Sequence, residues 1–154
     1  MEINELYLKT AFCCMACDGD IASEELELIK EYASNSDLFL NLDIENKLNE
    51  YVIKINQQGF SFLNSYFKDL TSFSLTEVQE LNIVRIAIQM IEADNKIEYS
   101  EISFFKKIRL QLSISDEAIL AEIPNKEDYL LPDIIQKEYE FVSDSAFSTI
   151  NLYN

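Results

Sequence analysis

The chain has 154 residues, 48% of them hydrophobic, which fits one folded domain with a single core and argues against a disordered polypeptide. Its 28 acids against 12 bases give a net charge of −16, a surface that repels phosphate backbones and anionic headgroups and so argues against direct nucleic-acid or membrane binding. There is no histidine, which removes the commonest general base and the usual nitrogen ligand of metals.

Two glycines and two prolines favour long helices over hairpins. No apolar run approaches the roughly 18 residues needed to cross a bilayer, and the acidic residues 1–5 lack the basic region of a signal peptide. A cytoplasmic location is expected. Cys13, Cys14 and Cys17 fall within one predicted helix, so no disulfide framework is expected.

In chain order, residues 3–17 predict a first helix with Ile3, Leu6, Thr10, Cys13, Cys14 and Cys17 on one face. A turn over 18–21 leads to a second helix, about 22–34. Asp43 can cap a third, whose stripe is Ile44, Leu48, Tyr51, Val52 and Ile55, and Gly59 closes it. Leu63, Tyr66, Phe67 and Leu70 mark a fourth. Ser74 and Glu77 form a capping box that opens a fifth helix, 75–93. That helix is apolar nearly all round (Val78, Leu81, Ile83, Val84 and onward), which predicts a place in the middle of a bundle, with Arg85 reaching a carboxylate or the surface. A sixth helix, about 98–112, buries Ile102, Phe105, Ile108 and Leu112 and carries Lys106, Lys107 and Arg109, the densest basic patch. Ser115 can cap a short seventh helix ending before Pro124, and Pro132 opens a last one through about 142. Residues 114–154 hold nine acids and two lysines. The expected organisation is one all-α domain over 1–120, with an acidic extension over 121–154 packed on or next to it.

One pattern occurs twice, 76 residues apart. Asp18 aligns with Asp94, Gly19 with Asn95, Ile21 with Ile97 and Glu25 with Glu101. In each copy an apolar helix runs into Asp, a residue tolerant of positive φ, one isoleucine to hold the turn to the core, and an acidic helix start.

At these two stretches the sequence resembles the TerB-like family, the tellurite-resistance TerB proteins and their relatives. The family's mark is an alanine-rich helix ending in an A-D-G-x-I-x-x-x-E type turn, given twice. The matching residues are Cys17, Asp18, Gly19, Ile21 and Glu25, then Ala93, Asp94, Asn95, Ile97 and Glu101. The likeness spans roughly residues 5–120. It implies a compact bundle of about seven to eight helices with an internal pseudo-two-fold repeat. It also implies association with tellurite resistance, stress response and phage defence, no enzymatic activity, and metal binding at an acidic surface. Departures are Ala22 and Glu98 where the family often has a Ser-type cap, Asn95 for a glycine, and Lys96 for an acidic or neutral residue.

Two readings of the acids stay open. In one, Asp18, Asp20, Glu24 and Glu25, joined by Asp94, Glu98 and Glu101 if the turns lie side by side, hold a hard divalent cation, Ca²⁺ or Mg²⁺. In the other, the repeated glutamates cap their helices and the aspartates bond their own turns. An EF-hand is excluded: counted from Asp18, the sixth loop position is Ser23 and the twelfth is Ile29. The cysteines read as small core residues, since a closed zinc site needs four ligands. Lys106, Lys107 and Arg109, with Tyr139 and Phe141 of the extension, are candidate partner contacts; a solvated helix face and self-packed aromatics are the structural alternatives.

The expected function is a non-enzymatic stress or defence module, an acidic scaffold for protein partners with a basic face. The alternative is an immunity-type inhibitor covering a basic toxin or nucleic-acid-binding site. A hydrolase built on paired carboxylates is disfavoured, because no activated nucleophile, phosphate loop or histidine accompanies them.

Overall fold

A computed structural model describes residues 1–93, 95 and 97–131. Within them the chain is all-helical: α1 (Ile3–Met15), α2 (Ser23–Ser34), α3 (Ile44–Gln58), α4 (Phe60–Ser72), α5 (Glu77–Glu92), α6 (Tyr99–Leu110), α7 (Asp116–Glu122) and α8 (Glu127–Leu130). A single 3₁₀ turn, Asp37–Phe39, lies between α2 and α3. It and α8 are additions to the expected elements. None of these helices is long and apolar enough to cross a membrane.

Local chemistry sets the boundaries. Asp43 Oδ1 accepts from the Asn46 amide at 3.2 Å, and Ser115 Oγ from the Ala118 amide at 3.1 Å, as their sequence positions predict. Gly59 takes φ +59 and passes the chain from α3 straight into α4. The box that opens α5 sits two residues later than predicted. Thr76, not Ser74, is the cap, and Gln79, not Glu77, reaches back to its amide at 2.9 Å. Both overlapping patterns are valid boxes; the later one leaves Leu75 before the helix, packed against the core.

The central element is α1. Every residue from Leu6 to Ala16 is buried, and α1 packs against each of α2 to α6. The expectation of a one-sided α1 is therefore corrected. Each fully buried large apolar side chain contributes about 1.5–3 kcal/mol, so this helix holds much of the cohesion. Its polar residues are satisfied inside. The Thr10 hydroxyl donates to the Leu6 carbonyl at 2.9 Å and pairs with the Tyr66 hydroxyl at 2.7 Å. Lys9 Nζ lies 2.6 Å from Asp69 Oδ2 and 3.1 Å from Ser65 Oγ on α4, above the Phe62 ring.

The expected interior helix, α5, is the neighbour of α1, with Ile83, Val84, Ile86, Ala87 and Ile88 buried. Its first turns differ from expectation: Leu81 is half-buried and Val78 is 66% exposed. Beyond residue 120, Tyr129 of α8 packs on Phe105 of α6, with ring centroids 5.4 Å apart. Its hydroxyl donates to Glu92 Oε2 at 3.0 Å, and Lys126 Nζ meets the same oxygen at 2.7 Å. The extension is thus tied to the bundle through residue 131. The predicted last helix and the tail aromatics Tyr139, Phe141, Phe147 and Tyr153 lie outside the described residues.

Candidate functional site

The two repeated stretches lie at the corners from α1 to α2 and from α5 to α6. In the first, the Gly19 amide donates to the Ala16 carbonyl at 2.8 Å; in the second, Asn95 donates to Glu92 at 3.2 Å. Gly19 takes φ +93 and Asn95 φ +60, the left-handed region that Gly and Asn tolerate best. Three residues on comes the cap position of the next helix, Ala22 or Glu98. Glu25 Oε1 accepts from the Ala22 amide at 2.8 Å, and Glu101 Oε1 from the Glu98 amide at 3.0 Å. Each corner carries only this half of a capping box; neither Ala22 nor Glu98 supplies a side-chain cap.

The corners also touch. Cys17 Sγ is 3.9 Å from Ser100 Oγ at the start of α6, so the acids of both stretches share one end of the bundle. Asp18, Asp20, Glu24 and Glu98 are exposed, Glu25 is half-buried and Glu101 is buried. Several point at their own backbone: Asp18 Oδ1 accepts from the Asp20 amide at 3.2 Å, and Asp20 Oδ1 from the Ile21 amide at 2.9 Å. Among the described residues, no three His, Cys, Asp or Glu side chains are grouped to hold a metal. Asp94 lies outside those residues. The described carboxylates hold helix starts and turns and present negative charge to solvent.

The isoleucines do not play equivalent parts. Ile21 packs against the core, whereas Ile97 is 54% exposed, against the expectation that each would hold its turn. The first corner gains a further contact: the space a Gly19 Cβ would occupy ends 3.4 Å from the Phe60 ring.

Cys13 and Cys14 are buried, and Cys17 is partly covered. Burial raises all three thiols, Cys17 to about 12, where the Ser100 contact offsets part of the effect and the charges of Glu101 and Asp18 add to it. Protonated thiols of this kind are poor nucleophiles and poor metal ligands.

The basic patch of α6 is divided. Arg109 Nη2 pairs with Asp116 Oδ1 at 2.8 Å. Lys106 donates to the Asp128 carbonyl at 3.4 Å and to the Leu131 carbonyl. Lys107 is exposed. Arg85 is half-buried, and its charge partly offsets the rise that burial imposes on Tyr32.

Sequence reasoning did not single out Glu80. It is buried, and its Oε1 accepts from the Ser113 amide at 2.9 Å and the Ile114 amide at 2.7 Å, fixing the α6–α7 link to α5. An acid within an apolar run was the available signal.

Among the described residues the fold is all-α, and the exposed acids of the two stretches lie at one end of it. The chain matches no family model, no curated protein and no solved structure.

Proposed function

We propose that the protein is a non-enzymatic binding module of the stress-response or defence kind, an acidic helical scaffold that engages protein partners through their basic faces. The distribution of its few cations carries this reading. Of 12 bases, Lys9, Lys30, Lys47, Lys54, Arg109 and Lys126 are paired with acids of the same chain, and Lys106 is bonded to backbone carbonyls. Little positive charge is left to offset the outward-facing carboxylates. A field of one sign steers oppositely charged partners and repels nucleic acid. The doubled corner carries the TerB-like resemblance and, with it, the tellurite-resistance and phage-defence setting in the cytoplasm. The Ca²⁺ or Mg²⁺ that the resemblance implies would need carboxylates from both stretches, and the described residues bring no three together.

The alternative, an inhibitor covering a basic toxin, uses the same surface and differs in partner number. Affinity capture from the native host at low and high salt separates them. One basic protein at near-stoichiometric yield favours the inhibitor, and several stress proteins favour the scaffold. No salt-sensitive capture defeats both, because surface attraction weakens as the screening length falls below about 10 Å. Calcium calorimetry on the wild type and Asp18→Ala/Glu25→Ala addresses the ion; absence of heat to millimolar calcium removes it.

A further inference from the structure

Away from the corners, the first turns of α5 border two adjoining open hollows of about 380 and 320 Å³, the first against the α6–α7 link and the second against the short α7. They share Glu77 as a common wall. The second is lined by Val78 and Leu81 of α5, by Ala118 and Ala121 of α7, and by the exposed acids Glu77 and Glu122. Residues three apart lie on one helix face, so two short apolar stripes line it. The alanines keep one wall low. This is where Val78 is 66% exposed, at the foot of a helix otherwise sunk in the core.

Charge decides what fits. Of the six acids on α5 and α7, Glu80, Glu92 and Asp116 are engaged within the chain, and Glu77, Glu117 and Glu122 are exposed to solvent. Arg109, the nearby cation of α6, is held by Asp116. Residues 132–154 of the same chain carry four acids and one lysine, and a second copy is as acidic, so neither brings the positive charge that would complement these carboxylates. Each hollow lies at the small end of the roughly 300–1,000 Å³ seen for ligand pockets, room for a few aliphatic side chains.

We propose that the α5–α7 groove docks a short basic amphipathic segment of a protein partner. Its aliphatic side chains lie over Val78, Leu81, Ala118 and Ala121, and its lysines or arginines meet Glu77 and Glu122. This rests on the acidic-module reading and gives it a surface. Helix-in-groove recognition supplies the mode, with apolar contacts holding the segment and rim charges speeding and orienting its arrival.

The test uses a fluorescein-labelled twelve-residue Lys/Leu/Ala amphipathic peptide, with a scrambled peptide of equal charge as control, read by anisotropy at low salt. The wild type binds the amphipathic peptide more tightly than the scramble. Val78→Lys and Glu77→Gln/Glu122→Gln each weaken it about tenfold, close to 1.4 kcal/mol. Glu27→Gln/Glu31→Gln, which removes the same charge from α2, changes it by less than about threefold. Amide shift changes in NMR spectra gather at residues 75–81 and 114–122. Equal weakening by both charge-removing pairs, or shifts centred on the corners, overturns the groove while leaving the acidic-module reading intact. No binding of the peptide overturns the groove whatever the host capture yields.

Discussion

At their described residues the two corners share a turn hydrogen bond, a positive φ and a glutamate cap, and differ in how each is held. Both end a helix on a left-handed residue, and both start the next with a glutamate folded back three residues. The first is pressed onto the bundle by Ile21, by Gly19 lying under Phe60, and by the buried cysteines leading into it. The second keeps the hydrogen bonds but exposes its isoleucine and buries its glutamate instead. Turn geometry and turn anchoring are therefore separate properties. A motif written in sequence specifies the first more firmly than the second.

The largest test of this difference is alkaline. The thiols precede only the first corner; the matched positions before the second are Gln89, Met90 and Ala93. An exposed thiol ionises near about 8.5, while burial raises all three here, Cys17 to about 12. The folded state thus keeps protons that the unfolded state has lost. The thiol contribution is fully present below about pH 8.5 and declines as pH rises toward 12, by about 1.4 kcal/mol per pH unit for each thiol held neutral. Melting temperature followed by circular dichroism falls steeply over this window, and Cys17→Ala makes the fall shallower. Buried tyrosines such as Tyr51 and Tyr66, also raised by burial, add to the fall above about pH 10, so an unchanged slope in Cys17→Ala sinks the proposed asymmetry.

Next come the glutamates. Glu101→Ala costs about 2 kcal/mol in urea unfolding, since it removes a buried acceptor. Glu25→Ala costs about 0.5–1 kcal/mol, the range of a partly exposed cap. Equal losses would mean the corners are held alike. The isoleucines give the smallest signal. Ile21→Ala loses about 1 kcal/mol as a half-buried truncation, and Ile97→Ala stays within about 0.5 kcal/mol, as for other exposed positions. The reverse order would undo the comparison.

What could be read from sequence follows the range of each interaction. Asp43, Ser115, Gly59 and the repeated glutamates act within four residues of themselves, and their roles were legible from local spacing. The all-α fold followed from sustained periodicity. The centrality of α1 did not, because Lys9 looks like a wet face until its partners Ser65 and Asp69, 56 and 60 residues away, are known. Glu80 was hidden for the same reason, with its two amides more than 30 residues downstream. The cap of α5 was missed by two positions because two valid boxes overlap there. Of the corner acids, the capping roles were readable, but not the unequal burial of Glu25 and Glu101, which depends on which helices cover them.

The pairing of Lys9 with Asp69 also limits how α1 can sit. A rod that is greasy on every side could turn about its own axis among its neighbours and lose little with each new setting. A single ammonium with one carboxylate to meet permits one azimuth, since any other would strand a charge in oil. With Thr10 on the Tyr66 hydroxyl, that lysine tells the innermost helix which way to face.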